Sequence, residues 1–150
     1  MAIEELETKT QFKMTNRNLR QLALFPPVKL ATVNCVIVGM GALGRQVAIG
    51  LAAAEVPRLR LIDYDRVDDV NLGPQLWNVS DLGQLKVDAA ANECIQKYPQ
   101  VAIEKCNRAF DPDVDIEESE STVVFSCVDD IPSRRQIFLA CRDRVGLYVD

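Results

Sequence analysis

The chain has 150 residues, 48% of them hydrophobic, and a formal net charge of −5 at pH 7. This length supports one hydrophobic core, and the acidic balance without a basic stripe argues against a nucleic-acid partner. No stretch reaches the roughly 18 uninterrupted apolar residues that a membrane helix requires, and residues 1–15 are too polar for a signal peptide. We therefore expect a cytoplasmic protein with no membrane partner.

Two residue types limit the chemistry further. The chain contains no histidine, so within it no imidazole can act as a base or as a metal ligand. The five cysteines are an odd number without C-x-x-C spacing, which argues against a disulfide framework and against a local zinc site. We expect most of them to be buried thiols.

The N-terminal residues predict a helical arm ahead of the main domain. Residues 16–24 have the composition of a short helix that carries Arg20, and the Phe-Pro-Pro sequence at 25–27 ends it. We assign residues 1–30 to this arm and residues 31–150 to a single domain.

An apolar run at 33–38 passes directly into a G-x-G-x-x-G turn formed by Gly39, Gly41 and Gly44. The run predicts a strand buried on both faces, and the glycines allow a tight turn, a close approach of phosphates and close helix packing. Asp63 follows at about 20 residues, the distance typical of a ribose-binding carboxylate. The pattern predicts a nucleotide site; a glycine-rich turn that binds nothing is the alternative.

The next elements alternate between helix and strand. A helix is predicted at 41–54, with an apolar stripe against the sheet formed by Leu43, Val47 and Leu51. A second strand is predicted at 58–63. An irregular stretch then runs to residue 80, and loops of that length in a compact domain are usually functional or disordered.

Asp81 and Gln84 resemble a capping box at the start of a second long helix, which ends near Tyr98 and Pro99. Its apolar face is predicted to consist of Val87, Ala91, Cys94 and Ile95.

The remaining chain continues the alternation, with Asp130 as the cap and Pro132 in the first turn of the last helix. The predicted elements are strands at 101–105, 122–127 and from 147, an acidic connection at 111–121, and a helix at 130–144. Strands separated by helices predict an α/β fold, a Rossmann-like, mainly parallel sheet with helices on both faces.

Ligands of such sheets bind beyond the carboxyl ends of the strands. Asp63, Asp65 and Asp129 fall there, and a carboxylate such as Asp129 beside bound phosphates suits Mg²⁺. Asp130 is more simply explained as a helix cap. The ammonium of Lys86 is placed to offset phosphate charge, although a lysine there is ordinarily a solvated surface residue.

Three segments occur in order along the chain: DYDRVDDVNLGPQ at 63–75, LGQLK at 82–86 and CVDD at 127–130. Together they resemble the ThiF/MoeB/HesA family, the adenylating domain shared with ubiquitin-activating enzymes. The family pattern is D-x-D-x-V, then S-N-L-x-R-Q, a G-x-x-K helix start and a C-x-D-N at a strand end. The resemblance implies attack of a carboxylate, typically the C-terminal glycine of a ubiquitin-like or sulfur-carrier protein, on the α-phosphate of ATP.

The resemblance also implies roles for individual residues. The glycines shape the nucleotide pocket, Asp63 binds ribose, and Asp129 holds Mg²⁺. The catalytic set is Asn71, Lys86 and Arg20, the last reaching the phosphates of the partner subunit in a homodimer. The wider nucleotide-binding set implied is Gly39, Gly41, Gly44, Asp63, Asp65, Asn71, Leu72, Gln75, Lys86, Asp129 and Asp130.

Two departures from the family pattern leave alternatives open. Pro74 stands where the family has an arginine, so Arg17, Arg20, Arg134 or a partner chain would have to supply the charge. The chain also stops in what resembles a strand, ahead of the family's substrate platform, zinc cysteines and thioester cysteine, so the domain is expected to be incomplete. The alternatives are a degenerate nucleotide-binding or scaffolding subunit and an NAD-dependent oxidoreductase.

Overall fold

The structure is a computed structural model that describes residues 26–150 together with Arg20, Ala23 and Leu24. The predicted helix at 16–24 lies largely outside the described residues, and Arg20 is exposed. Among the described residues, no helix is both long enough and apolar enough to cross a membrane.

The domain is built on one sheet of five parallel strands in the order β3-β2-β1-β4-β5. Every pairing is parallel, which confirms the predicted Rossmann-like α/β fold. The strands are β1 (Asn34–Val38), β2 (Arg58–Ile62), β3 (Ala102–Cys106), β4 (Ser119–Ser126) and β5 (Val145–Val149).

Helices connect the strands. Two 3-10 turns, Asp69–Asn71 and Val79–Asp81, also lie between β2 and β3. The helices are α1 (Pro27–Leu30), α2 (Ala42–Ala53), α3 (Leu72–Gln75), α4 (Lys86–Lys97), α5 (Pro112–Asp115) and α6 (Ile131–Cys141).

The central strand β1 is buried on both faces, as its apolar run predicts. Cys35 and Ile37 pack into a cluster with α2 and α4, whereas Val36 and Val38 pack into a second cluster that includes residues of α6. Because side chains alternate along a strand, these two clusters are the two faces of the sheet. The predicted placement of helices on both faces is therefore confirmed.

The predicted apolar stripe of α2 is right for Val47 and Leu51, which are partly buried against the core, and wrong for Leu43. Leu43 is 56% exposed, and the apolar residues of α2 buried against the sheet are Gly44, Ala48 and Ala52. Their four-residue spacing keeps them on one helix face. Small side chains let the helix axis approach the sheet, which leaves the larger residues at the edges of the contact.

Three expectations for the middle of the chain need correction. The stretch at 64–80 contains α3 and the two 3-10 turns rather than irregular chain throughout. Asp81 caps the turn that precedes α4, because its carboxylate accepts from the Asn78 backbone N–H at 2.9 Å, and Gln84 donates to the Ser80 carbonyl instead. Ile95 is exposed, since its position on α4 turns it away from the buried face.

The C-terminal third follows the prediction with shifted boundaries. The acidic connection contains α5, and β4 already begins at Ser119. Asp130 caps α6 as predicted, with its carboxylate accepting from the Ser133 N–H at 2.8 Å. All five cysteines are free thiols, and only Cys127 is less than fully buried.

Candidate functional site

A cleft of about 500 Å³ opens at the carboxyl ends of β1, β2 and β4. This is the edge at which parallel α/β sheets bind ligands. Most of the predicted nucleotide-binding residues line it, namely Gly39, Gly41, Asp63, Asp65, Gln75, Lys86, Asp129 and Asp130.

Gly39 forms the first turn of the cleft wall. Its N–H donates to the Ile62 carbonyl at 2.8 Å, and its φ of +92° lies in the region that favours glycine. A Cβ on Gly39 would stand 2.9 Å from the Cys127 carbonyl oxygen. A side chain at this position would therefore be strained and would push apart the ends of β1 and β4.

Gly44 does not line the cleft but determines how closely α2 approaches it. A Cβ on Gly44 would lie 1.8 Å from the Gly39 carbonyl oxygen. The third glycine of the motif is thus required for helix packing against the loop, as the G-x-G-x-x-G pattern implies.

Asp63 joins the glycine loop to the end of β2. One carboxylate oxygen accepts from the Met40 N–H at 2.6 Å, and the other accepts from the Asp65 N–H at 2.7 Å. A carboxylate has about four acceptor positions, so both oxygens keep capacity for ribose hydroxyls. Asp63 therefore holds the loop in shape while it faces the cleft.

Lys86 is the first residue of α4 and is held against Asp65. Its side-chain ammonium lies 3.0 Å from the Asp65 carboxylate, and its backbone N–H donates to the Asp65 backbone carbonyl at 2.9 Å. The Lys86 side chain is only 7% exposed, whereas that of Asp65 is 52% exposed. The lysine is consequently a positioned cation at the cleft and not the solvated surface residue of the alternative.

Gln75 and Pro74 line the same wall of the cleft. The Gln75 side-chain oxygen accepts from the Trp77 indole N–H at 3.0 Å. Pro74 contributes neither a charge nor a backbone donor, so this wall carries an amide where the family pattern places an arginine beside a glutamine.

Other predicted residues lie outside the cleft lining. Asn71 accepts from the Asp68 N–H at 3.1 Å and so caps a 3-10 turn, while Leu72 begins α3. Arg20 is exposed and does not contribute to the cleft.

The two neighbouring aspartates after β4, Asp129 and Asp130, differ in their hydrogen bonding. Asp130 caps α6, and the hydrogen bond from Ser133 lowers the pKa of its carboxyl. Asp129 is exposed and has no hydrogen-bond partner among residues 26–150. Within that range no three potential ligands cluster into a protein-only metal site. A single free carboxylate fits Mg²⁺ of the kind that relies on substrate phosphates and water for its other ligands.

The sequence also pointed to Arg134, which the structure places in the cleft wall. Its Nε donates to the Val128 carbonyl at 2.8 Å and lies 3.4 Å from the Asp150 carboxylate. The two Nη groups have no hydrogen-bond partner among residues 26–150. Arg134 therefore has donors that remain available to an anion in the cleft.

Arg108 and Phe110 also line the cleft, and the sequence reasoning missed them. Arg108 is committed to the fully buried Asp115 through contacts of 2.7 and 2.6 Å, so it is a structural cation. Both residues follow the carboxyl end of β3. A position directly after a parallel strand is the sequence signal that could have identified them as cleft residues.

Cys127 also borders the cleft. Burial raises the pKa of its thiol to about 11. The thiol is therefore protonated at neutral pH and is a poor nucleophile.

These features define a class of protein: a Rossmann-like α/β domain with a glycine-rich loop after β1 and acidic residues at the carboxyl ends of β2 and β4. The family follows from comparison with known proteins. The model of the ThiF family matches residues 15–146, and the chain belongs to this family.

Curated relatives include adenylyltransferases. The chain is 36% identical over 125 residues to the adenylyltransferase and sulfurtransferase MOCS3 of Sus scrofa, covering 82% of this chain and 28% of that protein. It is 34% identical over 109 residues to the molybdopterin-synthase adenylyltransferase of Escherichia coli, covering 71% of this chain and 43% of that protein. The chain thus spans less than half the length of these relatives.

Solved structures share the fold. The tRNA N6-threonylcarbamoyladenosine dehydratase TcdA of E. coli, in complex with ATP, superposes with a TM-score of 0.75 at 20% identity, covering 91% of this chain and 60% of that chain. E. coli MccB with ATP gives a TM-score of 0.66 at 22% identity, and the match covers 79% of this chain and 39% of the MccB chain. At these identities the likeness concerns the fold.

Proposed function

We propose that this chain is the ATP-binding part of an adenylyltransferase, which activates the C-terminal carboxylate of a ubiquitin-like or sulfur-carrier protein or peptide. The supporting observation is a cleft at the carboxyl end of the sheet, which brings together the glycine loop, two carboxylates after β2, Gln75, Lys86 and Asp129. Membership in the ThiF family and the adenylyltransferases among the relatives support the same reaction.

The proposed reaction needs no protein base. The substrate carboxylate is already ionised at neutral pH, and its oxygen attacks the α-phosphorus of ATP. The bond from the α-phosphorus to the bridging oxygen breaks, and pyrophosphate leaves with the electron pair. The products are an acyl adenylate and pyrophosphate, so the protein contributes positioning and charge neutralisation.

The cleft residues divide these tasks. Asp63 offers acceptors to the ribose, and Gly39 and Gly41 leave room for the phosphates against the backbone. Lys86, which already lies against a carboxylate in the cleft, neutralises phosphate charge. Asp129 would hold Mg²⁺, which supplies further neutralisation of the triphosphate when bound.

We propose that Arg134 supplies the phosphate-binding charge absent at Pro74. Its side chain reaches the cleft, and its Nη donors lack a partner among residues 26–150. The family resemblance adds Arg20 of a second copy, a role that requires a homodimer. Size-exclusion chromatography with light scattering tests the dimer, and an Arg20→Ala variant that keeps full pyrophosphate exchange would remove Arg20 from the site.

The test of the proposal is the melting temperature of the chain with ATP or NAD, each with and without Mg²⁺, followed by ATP–pyrophosphate exchange. Ligand at about 100 times its dissociation constant stabilises a protein by about 2.7 kcal/mol. We expect a rise in melting temperature specific to Mg-ATP, and exchange that a carrier protein stimulates. A rise with NAD alone would support an oxidoreductase and contradict the proposal.

A second candidate function is that of a nucleotide-binding or scaffolding subunit without catalysis. Pro74 favours it, because the wall of the cleft lacks the family's arginine. This candidate predicts Mg-ATP binding without pyrophosphate exchange at any carrier concentration, which separates it from the enzyme.

A further inference from the structure

Gln75 presents one particular end of its amide to the cleft. Its side-chain oxygen accepts from the Trp77 indole N–H at 3.0 Å. An indole N–H can only donate, so this contact requires the amide oxygen, and the NH2 group must point elsewhere. A Cβ placed on Gly41 would lie 3.9 Å from the Gln75 Nε2, which puts the NH2 group beside the glycine loop.

The Gln75 NH2 group is free to bind a ligand. Gln75 and Gly41 both line the cleft, and Nε2 has no hydrogen-bond partner among residues 26–150. Phosphate oxygens only accept hydrogen bonds. An amide turned by 180° would instead place its oxygen against them and repel them.

Trp77 is itself held in place by a buried cation. Arg45 of α2 lies over the indole ring, with its Cζ 5.0 Å from the ring centroid, and both residues are 5% exposed. Arg45 Nη2 pairs with the Glu93 carboxylate of α4 at 2.5 Å. The Arg45 side chain is buried and Glu93 is partly buried, so the pair offsets the desolvation of the Arg45 charge. It fixes the guanidinium face against which the tryptophan rests.

We propose that Trp77 is a positioning residue that orients the Gln75 amide, so that the amide NH2 group contacts a phosphate of bound ATP. The Arg45–Glu93 pair keeps the Trp77 ring in place. This inference rests on the proposed function, because it concerns the same nucleotide. It also gives the wall beside Pro74 a neutral phosphate donor.

The test uses Trp77→Phe, which keeps an aromatic face for Arg45 but removes the N–H. Dissociation constants for Mg-ATP and for adenosine are measured in the parent, Trp77→Phe, Gln75→Ala and the double variant. A hydrogen bond of ordinary strength corresponds to about a three- to tenfold change in affinity. We expect Trp77→Phe to weaken Mg-ATP by that factor, to leave adenosine unchanged, and to have no further effect once Gln75 is alanine.

Gln75→Glu is the matched control. Its carboxylate still accepts from Trp77 but turns an acceptor toward the phosphates, so we expect a larger loss of ATP affinity than for Gln75→Ala. The chain has one tryptophan, so its indole ¹H–¹⁵N signal is unique. That signal should move on addition of Mg-ATP and lose this response in Gln75→Ala.

The outcomes separate the two claims. Equal losses for ATP and adenosine in Trp77→Phe, or losses that add to those of Gln75→Ala, would make Trp77 a packing residue and overturn the inference while ATP binding stands. Failure of the parent to bind Mg-ATP would overturn the proposed function and, with it, the phosphate-directed role of Trp77.

Discussion

Lys86 and Asp65 are joined twice, through an ammonium–carboxylate contact of 3.0 Å and through a backbone hydrogen bond of 2.9 Å from Lys86 N–H to Asp65 O. The backbone contact fixes the start of α4 at the end of β2. The side-chain contact holds the ammonium at the cleft with its charge compensated by the Asp65 carboxylate.

The first prediction concerns the charge of Lys86. Lys86→Met keeps the aliphatic volume and the backbone hydrogen bond but removes the ammonium. Loss of a charged hydrogen-bond donor corresponds to about a 10- to 100-fold loss of affinity. We expect Mg-ATP binding to weaken by that factor with a similar melting temperature, measured by calorimetry and thermal unfolding.

Lys105→Met is the control for the removal of an ion-paired lysine, because the Lys105 ammonium pairs with Asp88 at 2.6 Å and the residue does not line the cleft. We expect it to bind Mg-ATP as the parent does. If Lys86→Met also bound Mg-ATP and exchanged pyrophosphate like the parent, Lys86 would have no part in the site.

The second prediction separates the two aspartates after β4. Asp129→Asn should raise the Mg²⁺ concentration needed for half-maximal ATP binding, because it removes the one carboxylate there without a partner among residues 26–150. Asp130→Asn should leave that concentration unchanged, since asparagine also caps helices well. A titration of ATP binding with Mg²⁺ checks both, and an unchanged requirement in Asp129→Asn would exclude that carboxylate as the ligand.

The third prediction uses two glycines of α2. Gly44→Ala would place a Cβ 1.8 Å from the Gly39 carbonyl oxygen, and overpacking of this kind costs about 1–3 kcal/mol of unfolding free energy, or more against rigid backbone. Gly50→Ala adds a Cβ that meets nothing within 4 Å, so it should stabilise by up to about 1 kcal/mol through helix propensity. Urea unfolding of both variants measures the difference, and equal stability would contradict the packing of the loop.

Local patterns predicted those parts of the fold that local physics determines. The buried strand β1 followed from its apolar run, and Asp130 was identified as a cap from its position before Pro132. Leu43 was wrongly assigned to the buried stripe of α2, because the distance between that helix and the sheet depends on the Gly44–Gly39 contact. Periodicity carries no information about that distance.

Contacts between residues far apart in the chain could not be predicted from local patterns either, because they depend on how the helices pack. Arg45 and Glu93 lie on different helices, and only the packing of α2 beside α4 makes one the partner of the other. Asp81 and Gln84 had the spacing of a capping box. The chain instead forms a 3-10 turn before α4, and the Asp81 carboxylate accepts from the Asn78 N–H in that turn. Nothing local distinguishes these outcomes.

The fourth prediction addresses Pro74. Pro74→Arg restores the arginine of the family pattern at an exposed position of the cleft wall. We expect tighter Mg-ATP binding or faster pyrophosphate exchange than in the parent. Pro74→Ala controls for the loss of the ring and the gain of a backbone donor. If Pro74→Arg and Pro74→Ala behave alike, the missing charge does not limit this protein.

The last prediction concerns Cys127 at the cleft. Burial raises the pKa of this thiol to about 11, whereas a free cysteine titrates near about 8.5. The thiolate is the reactive form, so iodoacetamide should label Cys127 far more slowly than a free cysteine at pH 7. The labelling rate should rise as the pH approaches 11, and mass spectrometry of the digested protein follows it.

In denaturant all five cysteines should react quickly. Rapid labelling of Cys127 in the native protein at pH 7 would show a thiolate, and would make this residue a candidate for acyl transfer from the adenylate.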